Sequence, residues 1–283
     1  SGTASMEAVI SSVITNDSCI LIINNGAYGE RMVQIAKLYK LKFIEYKSAS
    51  NSLLNLKEIE EILIKKKFIS HVAVVHHETT TGLLNDISSI GKLCKLYSAE
   101  FIVDAISSFG ATNIIMEESE IDYLISTSNK NLQGMAGIGI VIAKLESLRK
   151  ISNYTGKNLY LNLYNQYKNF QKTKQFQFTP PVQILYSLKQ AIKELNKETL
   201  KGRYLRYSKS WETLVNGMDD LGFKQYVPIQ IQSKFICSFI EPDNFDFDDF
   251  HDFLYERDIT IYPGKVLNKN TFRIGTIGEI DHR

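Results

Sequence analysis

Residues 122–139 read D-Y-L-I-S-T-S-N-K-N-L-Q-G-M-A-G-I-G. An apolar, β-rich run, Tyr123 to Ile125, gives way to the small hydroxyl residues Ser126, Thr127 and Ser128. Asn129 and a single lysine, Lys130, follow, and then a loop with Gly134, Gly137 and Gly139. A second apolar strand is predicted over Ile140 to Ala143. A lysine at a strand end, with small neighbours that leave room for a bound group, is where an amine that forms a Schiff base is useful. A solvated loop lysine produces the same local pattern, so the rest of the chain has to decide.

Upstream of this stretch, strands and helices alternate. Met6, Val9, Ile10, Val13 and Ile14 share one helical face, with Ser1-Gly2-Thr3 in front of them. Those three residues suit a plain N-cap. They also suit a phosphate site, with free N–H groups, hydroxyls and the positive end of the helix dipole, though on sequence alone the cap is the more ordinary reading. Cys19 to Ile23 predicts a strand that runs through N-N-G-A-Y-G-E-R into a helix with Met32, Ile35, Ala36 and Tyr39 on one face. Tyr28 stands at that junction, either as a half-buried core ring or as a ring stacked on a flat ligand. A strand is predicted over Leu41 to Tyr46, an amphipathic helix over Leu56 to Lys66, and another strand over His71 to Val75.

That third strand runs into H-H-E-T-T-T-G, residues 76–82, where three threonines either donate hydroxyls to a ligand or simply serve β-structure and a turn. Asp86 caps a helix with Ile87, Ile90, Cys94 and Tyr97 in register. Phe101 to Val103 predicts a strand that ends in Asp104. An acid at the carboxyl end of a buried strand is costly unless paired, so Asp104 is either a turn cap or a functional acid. The strands are short and apolar throughout, as expected when both faces of a parallel sheet are covered. Ligands of such sheets sit beyond the carboxyl ends of the strands. The helix start at Ser1, and Tyr28, Thr79, Asp104 and Lys130, all fall at those ends.

Beyond residue 150 the texture changes. Tyr154 to Phe178 is rich in Asn, Gln, Lys and aromatics and shows little periodicity. F-T-P-P, residues 178–181, opens a helix expected through Leu195, with prolines suited to an extended entry and a first turn. A long helix is predicted over Lys197 to Leu221. Strand and helix then alternate over Phe235 to Ile240, Phe247 to Arg257, Thr260 to Tyr262 and Thr271 to Ile274. A large domain over 1–197 and a smaller α+β domain over 198–283 are expected.

The 283 residues are 44% hydrophobic and 23% charged, an ordinary globular composition. Net charge is +2, with 33 basic and 31 acidic residues, and no basic run is long enough for a nucleic-acid or membrane patch. Cys19, Cys94 and Cys237 are far apart and odd in number. They fit neither a disulfide framework nor a zinc knuckle and suggest a reducing compartment, with the cytoplasm as the expected location. No apolar run approaches the ~20 residues of a membrane span, no signal peptide is expected, and no metal site is expected. The chain starts without an initiator methionine and ends in E-I-D-H-R, so both ends are expected to be cut.

Side by side, these stretches resemble the class V pyridoxal-phosphate aminotransferases over essentially the whole chain. The carriers are S-G-T-A-S-M-E-A-V, N-G-A-Y-G-E-R, H-E-T-T-T-G-L-L-N, V-D-A-I-S-S-F-G, S-N-K-N-L-Q-G, I-Y-P-G-K and F-R-I-G-T-I-G-E, in this order and spacing. The resemblance implies an α/β chain of fold type I, with a mostly parallel central sheet and a small C-terminal α+β domain. The activity implied is amino transfer from 2-aminoethylphosphonate to pyruvate, two small-molecule substrates, with pyridoxal 5′-phosphate as cofactor and a homodimer as the working form. Alanine–glyoxylate and serine–pyruvate transfer are the nearest alternatives. A truncated, non-catalytic remnant of the fold is a third.

The resemblance also implies roles. Lys130 matches the lysine that carries the cofactor and then moves the proton. Asp104 matches the acid that faces the pyridine nitrogen, and Tyr28 the aromatic stacked on the ring. Ile106, in the same V-D-A-I segment, belongs with the cofactor-binding set. Thr79 matches the hydroxyl near the phenolic oxygen. Ser1, Gly2, Thr3 and Asn129 match the phosphate cradle, and Thr179 a residue that reaches the phosphate in the neighbouring subunit. Arg273 matches the arginine that clamps the substrate's acid group. Burial beside the cationic ring is expected to lower the pKa of Lys130. The chain departs from the family in three places. It begins inside the phosphate loop, the final helix is absent or clipped, and Phe176 stands where some relatives have a phosphate-binding tyrosine.

Overall fold

The structure, a computed structural model, describes every residue except 265, 267 and 268. Lys265, the last residue of the I-Y-P-G-K stretch, lies outside the described residues. The chain runs α1 (Gly2–Val13), β1 (Ile20–Asn24), α2 (Ala27–Leu38), β2 (Phe43–Lys47), α3 (Leu56–Lys65) and β3 (His71–Val75). A small hairpin follows, β4 (His77–Glu78) and β5 (Leu83–Leu84), then α4 (Ile87–Leu96), β6 (Glu100–Asp104), β7 (Tyr123–Thr127) and β8 (Gly139–Ala143). Next come α5 (Leu145–Lys150), α6 (Leu163–Thr173), α7 (Val182–Glu198) and α8 (Leu200–Asp220). The last elements are β9 (Lys224–Gln225), β10 (Ile236–Ile240), α9 (Phe247–Tyr255), β11 (Tyr262–Pro263) and β12 (Thr271–Gly275).

Six strands form the main sheet in the order β2-β1-β3-β6-β7-β8. All pairs are parallel except β7 with β8, which is antiparallel. This is the mostly parallel α/β sheet that the sequence leads one to expect. The alternation of side chains explains its two cores. Ile20 and Ile22 of β1 face one cluster with α1 and α2, which bury Met6, Ile10 and Met32 there. Leu21 and Ile23 face the other, with Ile59 of α3 and Ile90 of α4. Strands buried on both faces have to be apolar at every position, and β1 and β3 are buried throughout.

A second sheet, ordered β11-β12-β10-β9, is antiparallel. Trp211, Val215 and Met218 of α8 pack on it with Phe239 and Phe272, and Phe250 of α9 joins the same cluster.

The structure corrects the sequence reading in three places. Residues 163–173, expected to lack periodic structure, form α6, with the Asn162 side chain capping its first turn at the Asn165 N–H. This helix has no fully buried residue, so its apolar stripe is faint. The long helix expected from Lys197 begins at Leu200 instead, because α7 continues to Glu198 and Thr199 breaks the path at φ 69°. Thr199 also starts the new helix, its side chain accepting from the Gly202 N–H at 3.0 Å. Finally, Gly2 and Thr3 do not precede α1 but form its first turn, with Ser1 as the cap.

Candidate active site

The strand order reverses between β1 and β3, since the chain leaves β1 for β2 on one side and returns to β3 on the other. A crevice beyond the carboxyl ends is expected at such a switch point. A cavity of about 190 Å³ lies there, lined by Ser1, Gly2, Thr3, Tyr28, Thr79, Asp104, Ile106, Asn129 and Lys130. Arg31, Val75, His77, Ser107 and Thr127 complete its wall. The structure therefore brings together every expected site residue except Thr179 and Arg273.

One end of the cavity is built for an anion. The first N–H groups of a helix have no partner within it, and α1 starts at the wall with Gly2 and Thr3. Arg31, one turn along α2 from Tyr28, donates Nη1 to Thr3 Oγ1 at 3.1 Å and lies 4.8 Å from the centre of the Tyr28 ring. Gly2 packs closely on Ile106, since a Cβ there would sit 2.8 Å from Ile106 Cδ1 and the isoleucine would have to shift. Thr127 Oγ1 donates to Asn129 Oδ1 at 3.0 Å and orients that side chain beside Lys130.

The cavity wall also holds one buried acid. Asp104 ends β6 with 3% exposure, and its Oδ1 accepts from the Ile106 N–H at 2.8 Å. Burial pushes its carboxyl up to about 7; the Ile106 N–H opposes this, Glu78 adds to it, and Arg31 opposes it. A carboxyl held there returns to the ionised form when a cation faces it.

His77 is fully buried, its ring edge-on to Phe235 with centroids 4.6 Å apart. Its Nδ1 lies 3.3 Å from the Ser107 carbonyl. A carbonyl only accepts, so we assign the proton to Nδ1 and a lone pair to Nε2. Nε2 is buried without a partner among the described residues. Burial pushes this imidazole down to about 3, so it is neutral near pH 7. The Ser107 carbonyl also accepts from Asn131 Nδ2 at 2.7 Å, and Ser107 Oγ donates to the His77 carbonyl at 2.8 Å. Asn131 follows Lys130 directly, so the lysine loop and the histidine share one support.

Lys130 departs from expectation, since its side chain is exposed in the single chain rather than buried. It lies in the turn after β7 and lines the cavity. Arg273, on β12, stands beside the cavity rather than in its wall, and its Nη1 donates to the Thr79 carbonyl at 3.0 Å. Its Nε is buried and unpartnered, and no ion pair involves it among the described residues. Thr179 is exposed, away from the cavity, and Phe176 nearby is exposed as well.

Sequence reasoning missed Arg31, His77 and Ser107. Arg31 was within reach, because it lies three residues after Tyr28 on a predicted helix, and such pairs share a face. His77 precedes the threonines already singled out, but no local pattern distinguishes a buried imidazole from a surface one.

The family model described as Aminotransferase class-V matches residues 1–272. A curated Bacillus cereus protein, 2-aminoethylphosphonate–pyruvate transaminase, is 42% identical over 283 residues, which covers 99% of this chain and 77% of the relative. Among solved structures, the fold is similar to alanine–glyoxylate aminotransferase from Nostoc, with TM-score 0.91 at 24% identity over 98% of this chain and 74% of that one. Pyridoxamine–pyruvate aminotransferase from Mesorhizobium loti gives TM-score 0.91 at 23% identity over 98% and 72%. These two likenesses show the fold.

Proposed function

Because the chain belongs to the class V aminotransferases, we propose that it moves the amino group of 2-aminoethylphosphonate to pyruvate, giving phosphonoacetaldehyde and L-alanine. The observation that carries this reading is the cavity that joins Lys130, Asp104, Tyr28 and the start of α1. The choice of substrates is supported by the 42% identity to the Bacillus cereus transaminase.

The residues present fit pyridoxal 5′-phosphate. The α1 start, the Ser1 and Thr3 hydroxyls, Asn129 and Arg31 suit its phosphate. The buried Asp104 carboxyl suits a protonated ring nitrogen, and Tyr28 and Ile106 suit the two faces of a flat ring. When bound, the cofactor supplies an electron sink for the carbon that loses its proton.

Lys130 would hold the cofactor through its ε-amine. When free, that ε-amine would be the base that takes the proton from the substrate carbon. Asp104, ionised against the ring nitrogen, keeps that nitrogen protonated by its charge. The Thr79 hydroxyl, in the cavity wall, would donate to the phenolic oxygen. Arg273 offers a planar fork to the phosphonate in one half-reaction and to the carboxylate of pyruvate in the other.

We further propose a homodimer in which Thr179 reaches the partner's phosphate. The exposure of Thr179 beside exposed Phe176, Phe178 and Val182 supports this reading. Among the described residues no helix is long and apolar enough to cross a membrane. The three free, buried thiols of Cys19, Cys94 and Cys237 support a place in the cytoplasm.

The test is to incubate the holoenzyme with 2-aminoethylphosphonate and pyruvate and follow alanine by proton NMR. Stoichiometric alanine and aldehyde are expected. Alanine consumption with glyoxylate, and no turnover of the phosphonate, would overturn the substrate assignment.

A further inference from the structure

Glu78 is an acid with no exposure to solvent and no ion pair among the described residues. A buried carboxylate is retained at a cost unless its oxygens are well supplied with donors. Here three donors converge on it. Oε2 accepts from the Tyr28 N–H at 3.1 Å, in the first turn of α2. Oε1 accepts from Thr80 Oγ1 at 2.5 Å and from the Thr80 N–H at 3.3 Å. The N-terminal turn of α2 favours a negative charge at that point. The seat is tight as well, since a Cβ added at Gly26 would overlap the Glu78 side chain.

The turn that follows Glu78 faces the opposite way. The Thr79 carbonyl accepts from Arg273 Nη1 at 3.0 Å, and the Thr80 carbonyl accepts from Ser238 Oγ at 3.1 Å. The Gly82 carbonyl accepts from the Ser233 N–H at 2.8 Å. Gly82 itself sits at φ 87°, and a Cβ there would meet the Ile236 carbonyl at 2.6 Å. One five-residue segment therefore holds α2 of the main sheet through a side chain and the small sheet through its carbonyls.

We infer that Glu78 is a positioning residue for amino transfer. Its carboxylate fixes the backbone of Tyr28 on one side and, through the Thr79–Thr80 turn, the guanidinium of Arg273 on the other. The stacking ring and the acid-binding fork thereby keep one spacing. The inference rests on the roles given to Tyr28 and Arg273 under the proposed function. A carboxylate suits the task because it only accepts. Glutamine would set an NH₂ against either the Tyr28 N–H or the Thr80 donors, so one of the two attachments is lost.

The experiment compares Glu78→Ala, Glu78→Gln and Thr80→Val with the wild-type holoenzyme. Its readouts are KM and kcat for donor and acceptor, cofactor Kd by fluorescence quenching, and Tm. Glu78→Ala is expected to raise both KM values and the cofactor Kd by about tenfold or more, with kcat changed less, because a buried acceptor shared by several donors is lost. Glu78→Gln is expected to recover part of each shift, and Thr80→Val to raise KM by less than Glu78→Ala. A residue with only a structural role would lower Tm and leave KM and Kd in place, and that result in Glu78→Gln, or in Glu78→Ala if it folds, overturns the inference. If the wild type turns over no acidic amino donor, the substrate reading fails instead, and the cofactor Kd still reports the hold of Glu78 on Tyr28.

Discussion

Arg203 Nη1 donates to the carbonyl of Asn131, the residue after Lys130, at 2.6 Å. Arg203 sits in the first turn of α8 with 2% exposure, and its Nε donates to Glu198 at 2.8 Å. One turn further along α8, the Tyr207 hydroxyl accepts from Gln133 Nε2 at 2.6 Å. The helix that carries the small sheet thus grips the lysine loop at two points. From the other side Asn131 Nδ2 reaches the Ser107 carbonyl. The position of Lys130 therefore depends on residues more than 70 positions away, and the loop is fixed although its lysine is exposed.

Arg203→Met is expected to test this grip. It removes a buried, charge-assisted bond and strands the Asn131 carbonyl, at a cost of about 2–4 kcal/mol. Glu198 keeps Arg206 as a partner at 2.7 Å, so no bare carboxylate adds to the cost. Urea unfolding gives the stability change. In the folded fraction, slower covalent capture of the cofactor is expected; a rate equal to wild type would show that α8 does not position Lys130.

Lys130→Ala is expected to abolish amino transfer and the borohydride-reducible link to the cofactor. Peptide mapping after reduction identifies the labelled lysine. Lys144, the nearest lysine downstream in sequence, pairs with Asp122 at 3.1 Å and is not in the cavity wall. A label on any lysine other than Lys130 removes the assignment.

Asp104→Asn separates activity from stability. Burial places the folded-state carboxyl at about 7 against an ordinary 3.8, so the cofactor-free folded state holds a proton that the unfolded chain releases. Stability is then highest below pH ~4 and falls as pH rises towards ~7, levelling off above it, by up to about 4 kcal/mol. Asn carries no such penalty. In cofactor-free protein the variant is expected to melt higher than wild type at pH 8 and close to it at pH 4. With cofactor bound it is expected to be nearly inactive, because an amide cannot hold the ring proton by charge. Equal melting temperatures at pH 8 would show that the acid is already paired in the empty site.

How much of this was legible in the sequence depends on the reach of each interaction. The strands could be read because a strand covered on both faces must be apolar throughout. The site followed, because Tyr28, Thr79, Asp104 and Lys130 are the polar interruptions at strand ends. Helix α6 was hidden because it lies on the surface, with Tyr164 and Tyr167 only partly packed against the core. The break at Thr199 was hidden because a left-handed threonine has no local signature. His77 packs against Phe235 and meets the Ser107 carbonyl, and Glu78 accepts from the Tyr28 N–H, all of them distant in sequence. Local periodicity carries no record of such contacts.

Thr179→Ala bears on the subunit contact. If Thr179 reaches the partner's cofactor phosphate, the variant is expected to bind cofactor about tenfold more weakly, the loss of one hydrogen bond to a charged group, while sedimenting as a dimer. Unchanged cofactor affinity would remove this contact from the site.

Arg273→Lys tests substrate choice. The fork is presented with Nη1 on the Thr79 carbonyl and Nε buried without a partner, so it has unused donors for an incoming acid. A guanidinium spans two oxygens of a phosphonate or of a carboxylate at once; an ammonium is a point charge and cannot. The wild-type holoenzyme is expected to prefer 2-aminoethylphosphonate over alanine or serine as amino donor by at least ~100-fold in kcat/KM, a gap of ~2.7 kcal/mol. The lysine variant is expected to lose most of that preference and to show a raised KM for pyruvate too, because one fork serves both half-reactions. Its cofactor affinity should stay near wild type, since Arg273 lies outside the cavity wall. A donor panel run with pyruvate and with glyoxylate reads all three quantities. If alanine with glyoxylate outruns the phosphonate with pyruvate, the substrate assignment passes to alanine–glyoxylate transfer. If the variant keeps the wild-type preference, the acid group is held elsewhere and Arg273 serves only to fasten the Thr79 turn.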